Sequence, residues 1–142
     1  MLRIFGIFLT VAALTNSAFA TCPLLDTIEY RGKTYPLAKW TNAPQNEKVR
    51  DWINKLPSCS AIGQGRAVYR VEGDKILLMM FRGCGAELSV SEAFSQSGPV
   101  TLATWLTGKI DVARGRCMGG WDPATEYFIV ENGRLVKFHQ PQ

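Results

Sequence analysis

Few side chains in this chain could perform nucleophilic chemistry. The only histidine, His139, lies three residues from the C-terminus. A Ser-His or Cys-His pair would have to use this residue, and terminal segments rarely hold a side chain in one position. The sequence therefore predicts no catalytic residue of this kind.

Four cysteines are the other reactive side chains: Cys22, Cys59, Cys84 and Cys117. An even number of cysteines in an exported chain favours disulfides over free thiols. Four cysteines allow three pairings, and we favour Cys22–Cys59 with Cys84–Cys117 because each bridge then ties one loop-rich half. Each bridge would contribute roughly 3–4 kcal/mol if the entropy of loop closure dominates.

Motifs for metals, haem and phosphates are missing from the sequence. It contains no Cys-x-x-Cys, no Cys-x-x-Cys-His and no histidine pair at helical spacing. Met79 and Met80 are soft copper ligands by type, but adjacent strand residues point to opposite faces, which favours core packing. Gly63-x-Gly65 lacks the third glycine of a dinucleotide-binding loop, because Val68 stands there. We predict neither a metal nor a cofactor.

Acidic side chains leave one catalytic alternative open. Glu87 and Glu92 flank one loop. Asp122 and Glu126 flank Pro123. Glycoside hydrolysis needs two carboxylates about 5–10 Å apart across a cleft, and a small β-rich domain offers little depth for one. A small envelope hydrolase is therefore the alternative function, while solvated surface acids are the favoured interpretation.

The segment 111–123, DVARGRCMGGWDP, is the strongest candidate for recognition. Three glycines make it conformationally permissive, and Cys117 would staple it. Arginine and tryptophan are enriched at the hot spots of protein interfaces. We therefore predict that the partner-binding residues are Arg114, Arg116, Trp121 and Asp122. The alternative is a stapled connection in which Trp121 packs on the core.

Residues 1–20, MLRIFGIFLTVAALTNSAFA, have the pattern of a secretory signal peptide. Arg3 supplies the positive charge, an apolar run follows, and Ala18-Phe19-Ala20 fits the cleavage rule. The run is too short to span about 30 Å of hydrocarbon. We expect residues 1–20 to be removed and residues 21–142 to form a single domain in the bacterial periplasm. A membrane anchor and lipidation of Cys22 are the open alternatives.

The composition is that of an ordinary globular protein. The 142 residues include 16 Lys and Arg and 12 Asp and Glu, and 46% are hydrophobic. This balance excludes collagen-like, coiled-coil and polytopic membrane architectures. The net charge of +4 is small and dispersed, which argues against nucleic-acid binding. No segment of the mature domain is expected to insert stably into a membrane.

The periodicity of apolar residues predicts the scaffold that must position these candidates. Segments 27–37, 66–82 and 125–139 have the pattern of hairpins closed by tight turns. The apolar run at 75–81 predicts a central strand that is buried on both faces. One further strand is predicted over 100–112, and a short helix or turn over 88–94.

One amphipathic helix is predicted over Pro44–Leu56. Its apolar stripe consists of Val49, Trp52, Ile53 and Leu56. The predicted fold is therefore α+β and mainly antiparallel, with about seven strands in a barrel-like or single sheet, one amphipathic helix and disulfide staples.

Two segments resemble a family of small exported bacterial proteins of uncharacterised function. Tyr30–Leu37, YRGKTYPL, resembles the start of such proteins, and Ala103–Gly108, ATWLTG, resembles their W-[LFY]-[TS]-G strand. A terminal hairpin completes the resemblance. It implies a sheet-rich body and an accessory or immunity role, and it supplies no catalytic residue.

The predicted function is that of a periplasmic, disulfide-stabilised binding protein. Its partner would be a protein, such as a toxin or cell-wall hydrolase whose cleft it occludes as an immunity or inhibitor protein. A structural envelope protein or a ligand carrier with an apolar cavity is a further alternative beside the hydrolase.

Overall fold

The computed structural model describes residues 24–56, 65–95, 101–114 and 122–142, without the side chains of Asp122 and Ala124. The predicted signal peptide, residues 1–20, lies outside these ranges. So do Cys22, Cys59, Cys117, Arg116 and Trp121.

The described ranges contain nine strands and two helices. The strands are β1 (Thr27–Tyr30), β2 (Lys33–Pro36), β3 (Arg66–Glu72), β4 (Lys75–Arg82), β5 (Glu87–Ser89), β6 (Thr101–Leu102), β7 (Gly108–Arg114), β8 (Asp122–Glu131) and β9 (Arg134–His139). The helices are α1 (Glu47–Lys55) and α2 (Val90–Phe94). The predicted number of about seven strands was too low, because β5 and β6 are too short to show a periodic pattern. Helix α2 lies within residues 88–94, where a short helix or turn was predicted.

The strands form one open, mixed sheet in the order β2-β1-β3-β4-β9-β8-β7, with β5 and β6 also paired to β4. The β1–β3 pair is parallel and the other pairs are antiparallel. In the described ranges, β4 and β9 pair through Lys75 and Arg134 alone, and the outer strands approach at an isolated bridge between Leu37 and Val112. The sheet is not closed, so the barrel-like form of the prediction was wrong and the single-sheet form is found.

The central position of β4 follows from its composition. It pairs with β3, β5, β6 and β9, and its apolar residues can be buried on both faces, as predicted. The prediction of one strand over 100–112 was wrong. The chain turns after Leu102, where the Leu106 N–H donates to the Ala103 carbonyl oxygen at 2.9 Å, and β7 begins only at Gly108.

Helix α1 begins later than predicted because Asn46 caps it. The Asn46 side-chain oxygen accepts a hydrogen bond from the Val49 N–H at 2.9 Å, and its Nδ2 donates to the Ala93 carbonyl at 2.7 Å. One side chain thus starts α1 and ties it to α2. The predicted apolar face is confirmed, since Val49 is fully buried and Trp52 and Ile53 pack against the core.

Aromatic rings join the two outer hairpins of the sheet. Phe128 in β8 is fully buried, and its ring centroid lies 4.6 Å from Phe138, 5.5 Å from Tyr35 and 6.0 Å from Tyr30. We call these four side chains the aromatic cluster. It packs the β1–β2 hairpin on the β8–β9 hairpin in edge-to-face and tilted arrangements, which favour ring pairs.

Cys84 lies between β4 and β5 and does not carry a free thiol. The other three cysteines lie outside the described ranges. The disulfide staples and their favoured pairing therefore stay predictions.

Two hairpin turns share one backbone conformation but differ in sequence. Arg31 and Gly32 have φ values of 50° and 75°, and Asn132 and Gly133 have φ values of 47° and 75°. These are the two positive φ angles of a type I′ turn, for which Asn-Gly is strongly preferred. An arginine in this left-handed conformation is uncommon and costs free energy.

We expect the substitution Arg31→Asn to raise the free energy of unfolding by about 0.5–1 kcal/mol. Asparagine tolerates the left-handed backbone, and the gain is partly offset by loss of the contact between the Arg31 guanidinium and the Tyr30 ring, at 4.9 Å from the centroid. Urea denaturation of the two proteins measures the difference. A lower midpoint for the variant at an unchanged slope would contradict the expectation.

Candidate functional site

The predicted recognition loop begins and ends on adjacent strands. Arg114, the exposed last residue of β7, pairs with Asp122, the first residue of β8. Arg116, Trp121 and the Asp122 side chain lie outside the described residues, so the contacts of this loop stay a prediction.

A buried carboxylate lies where β1, β2 and β3 meet. Asp26, directly before β1, is only 4% exposed. Its Oδ2 accepts hydrogen bonds from the backbone N–H and the hydroxyl of Thr41, both at 2.7 Å. Its Oδ1 accepts one from the Ala67 N–H at 3.0 Å. Hydrogen bonds to an ionised acceptor are among the strongest in proteins, so Asp26 holds the β2–α1 loop and the start of β3 together.

The strand register explains how these groups meet. Thr27 stands opposite Val68 in the parallel β1–β3 pair, which brings Asp26 beside Ala67. The Leu37 N–H donates to the Asp26 carbonyl at 2.9 Å, and the Ala38 N–H donates to the Asp111 carbonyl at 2.9 Å. The chain after β2 is thus held between β1 and β7 before it reaches Trp40.

The hydrogen bonds continue from Asp26 into the core. The Thr41 hydroxyl donates its proton to Asp26, so Tyr69, whose hydroxyl oxygen lies 2.6 Å away, must donate to Thr41. The Trp105 Nε1–H donates to the Tyr69 oxygen at 3.2 Å. Burial raises the pKa of the Tyr69 hydroxyl above its ordinary value, which keeps it protonated. In this series of hydrogen bonds, the donors of Trp105, Tyr69 and Thr41 therefore all point toward the negative charge of Asp26.

Trp40 lies at the surface above this network. Trp40, 50% exposed, and Val136, 61% exposed, are the large apolar side chains that stand exposed in the described part of the chain. The Arg66 guanidinium carbon lies 4.0 Å from the Trp40 ring centroid, within the range of a cation–π contact. Burial lowers the pKa of Arg66, and the charge of Asp26 opposes that shift. The half-exposed Trp40 ring therefore lies against a neighbouring cation, and the next residue, Thr41, is bonded to the buried carboxylate of Asp26.

A cavity of about 190 Å³ adjoins this ring. Its lining includes Asp26, Trp40, Asn42, Gln45, Arg66 and Phe81. Drug-sized ligands occupy roughly 300–1,000 Å³, so this cavity suits one side chain or one small ring. We call Trp40, Arg66 and this cavity the Trp40 site. The site offers the apolar face of Trp40, the cation of Arg66 and the side-chain amides of Asn42 and Gln45. Groups of these kinds bind a ligand or partner and perform no chemistry on it.

Three of the four acids of the hydrolase alternative have contacts with neighbouring polar side chains, and the side chain of the fourth, Asp122, lies outside the described residues. Glu87 lies 3.2 Å from Arg82. Glu92 accepts hydrogen bonds from Ser89 in a capping box at the start of α2, and these bonds lower its pKa. Glu126 accepts a hydrogen bond from Gln140 at 3.2 Å. These contacts favour the interpretation of Glu87, Glu92 and Glu126 as surface acids.

His139 is held more firmly than its position near the C-terminus indicated. It is the last residue of β9, it stands opposite Tyr127 in β8, and its ring stacks on that of Tyr127 with centroids 4.6 Å apart. The expectation that the terminal segment leaves His139 unfixed was therefore wrong.

Metal ligands and membrane-spanning helices are both absent from the described part of the chain. Within residues 24–56, 65–95, 101–114 and 122–142, no three His, Cys, Asp or Glu side chains lie together as metal ligands. No helix in those same ranges is long and apolar enough to cross a membrane.

Sequence analysis identified neither Asp26 nor Trp40 as a candidate. One signal was available for Trp40, which lies between Pro36 and Pro44 and outside every apolar stripe. Asp26 has no comparable local signal, because its hydrogen-bond partners lie 15 and 41 residues away in the chain.

Comparison with protein-family models, with curated protein sequences and with solved structures found no match to the chain. The resemblance of Tyr30–Leu37 and Ala103–Gly108 to small exported proteins therefore stays a prediction.

Proposed function

We propose that the chain is an exported, periplasmic binding protein that recognises a protein partner through the Trp40 site. The observation that carries the proposal is a half-exposed tryptophan whose ring lies against Arg66 and whose next residue is bonded to the buried Asp26. Exposing a large ring to water is unfavourable in the isolated protein. Tryptophan and arginine are the residue types most enriched among interface residues that dominate binding energy.

The support beneath Trp40 favours binding without rearrangement. Thr41, the next residue, is bonded to Asp26 by both its N–H and its hydroxyl. A side chain that is already ordered loses little conformational entropy when a partner covers it. The ring can therefore act as a preformed anchor.

Occlusion is the mechanism that this geometry suits best. A rigid sheet would present Trp40 to an apolar cleft of a toxin or cell-wall hydrolase, and a side chain of the partner would enter the adjoining cavity. The loop with Arg114, Arg116, Trp121 and Asp122 is the second contact proposed, on the basis of its composition. This is the mode of action of an immunity or inhibitor protein.

The decisive experiment compares Trp40→Ala with Val136→Ala. The secreted protein, captured with its partner from envelope extract, is titrated against that purified partner. We expect Trp40→Ala to weaken binding by about 2–4 kcal/mol, or roughly thirtyfold to a thousandfold. Val136→Ala removes the other exposed apolar side chain and should leave affinity within about twofold, since it lies outside the Trp40 site.

Thermal unfolding of both variants serves as the control for folding. Equal affinities for wild type and Trp40→Ala, with both proteins folded, would refute the proposal. Measuring Trp121→Ala in the same titration separates the contribution of the predicted loop from that of Trp40.

A further inference from the structure

A second cavity, of about 390 Å³, lies at the β1–β2 turn. Three cationic residues line it: Arg31, Lys33 and Arg70. Glu29 is the carboxylate in its lining, and the Glu29 Oε2 lies 2.9 Å from the Arg70 Nε. Positive charge therefore exceeds negative charge around this cavity, which we call the basic cavity.

The cations at the turn rest on the aromatic cluster. The Arg31 guanidinium lies 4.9 Å from the Tyr30 ring centroid, and the Lys33 ammonium lies 4.8 Å from the Tyr35 ring centroid. Tyr35 is buried, so it is a fixed support for Lys33. Lys33 also lies 3.9 Å from Glu126, a distance at the outer limit of an ion pair, and its side chain is mostly exposed. Both charges stay accessible to a ligand while their positions are restricted by the rings beneath them.

The backbone at Arg31 is a second and independent sign of function. The β8–β9 turn has the same pair of positive φ angles and satisfies them with Asn132 and Gly133. The β1–β2 turn places an arginine in the left-handed position, although asparagine would suit it better. Strain of this kind is concentrated at binding and catalytic sites, where a side chain is needed for its chemistry.

We propose that the basic cavity binds a phosphate group. An arginine presents a planar set of N–H donors that matches the oxygens of phosphate, and a lysine adds a compact positive charge. The phosphate belongs either to a soluble compound or to a lipid headgroup, and the two sources share this chemistry. The site is separate from the Trp40 site and does not depend on the function proposed for it.

The test uses Arg31→Asn, because this substitution removes the cation and retains the turn. Binding of inorganic phosphate to the secreted protein is followed by two-dimensional NMR at constant ionic strength, with chloride as the reference anion. We expect wild type to bind phosphate with shifts at residues 29–34 and 70–71, and Arg31→Asn to bind it at least about tenfold more weakly, since hydrogen bonds to charged groups are worth about that factor. Urea denaturation should show the variant to be folded and no less stable, so loss of binding is not loss of structure.

Lys137→Gln is the matched control. Lys137 is an exposed cation on β9 that does not line the basic cavity, and its removal should change phosphate affinity less than about twofold. If Lys137→Gln weakens binding as much as Arg31→Asn, the effect is one of overall charge and the proposal is overturned. The absence of phosphate-specific shifts together with the absence of vesicle binding overturns it as well.

Sedimentation with vesicles separates the two sources of phosphate. Wild type and both variants are mixed with vesicles of phosphatidylcholine alone or of phosphatidylcholine with phosphatidylglycerol. Binding to the anionic vesicles that depends on Arg31 supports the site and assigns a lipid headgroup. Binding of free phosphate that depends on Arg31, without vesicle binding, supports the site and assigns a soluble phosphate compound.

Discussion

Replacing Asp26 with alanine is expected to lower the free energy of unfolding by about 3–5 kcal/mol. Three donors, the N–H and hydroxyl of Thr41 and the N–H of Ala67, would lose their acceptor. The Ala67 N–H is buried, so it would be left without a partner away from water, which costs more than a hydrogen bond contributes. The donor chain through Tyr69 would also lose the charge at which it ends.

Urea denaturation of wild type and Asp26→Ala measures this effect. Asp74→Ala is the matched control, because the Asp74 carboxylate makes a shorter contact, 2.6 Å to Arg134, with both side chains exposed. Exposed ion pairs contribute little, so Asp74→Ala should change the midpoint far less. Similar losses for the two variants would show that burial of Asp26 is not what gives its hydrogen bonds their value.

The substitution Gly133→Ala is expected to destabilise the protein by about 3–4 kcal/mol. A Cβ at this position would lie 2.7 Å from the backbone carbon and oxygen of Ala103. The Gly133 backbone cannot shift away easily. Its N–H donates to the Leu106 carbonyl at 2.9 Å, and its carbonyl accepts from the Ile76 N–H at 2.8 Å. The turn of the β8–β9 hairpin is thus docked on the segment between β6 and β7.

Gly32→Ala separates the two causes of this loss. Gly32 has the same φ of 75° as Gly133, but among the described residues, apart from its chain neighbours, no atom lies within 4 Å of the place that a Cβ would take. Its substitution should therefore cost only the left-handed conformation, about 1–2 kcal/mol. The difference between the two free energies of unfolding isolates the close backbone approach. Equal losses would mean that the contact with Ala103 relaxes at no cost.

Local patterns were sufficient for several elements of the fold. The hairpin turn at Asn132-Gly133, the apolar strand β4 and the apolar face of α1 were all predicted, because each depends on residues within about one hairpin or one helix of each other. The cap at Asn46 moved the start of α1 by three residues, since a side chain that bonds the first turn decides where a helix begins.

The candidate site was beyond such patterns. Asp26 becomes a structural centre only when the parallel pairing of β1 with β3 sets it beside Ala67, 41 residues further along the chain. Parallel neighbours are joined by long connections, so no local sequence signal reports them. Trp40 is half-exposed on a loop whose next residue, Thr41, is tied to Asp26, and this tie too is a property of the assembled sheet.

Residue order alone was enough to specify the globular composition, the antiparallel hairpins, the central strand and the amphipathic helix. The conflict at Arg31, where residue type and turn conformation disagree, follows from the backbone φ angles of the turn. The assembled sheet was needed to establish that its edges stay open, that β5 and β6 exist as strands, and that Asp26, Thr41 and Tyr69 share one hydrogen-bond chain. The physical reason is that backbone preference and apolar periodicity act over a few residues, whereas burial and hydrogen bonding of a polar side chain depend on strands that are distant in the chain.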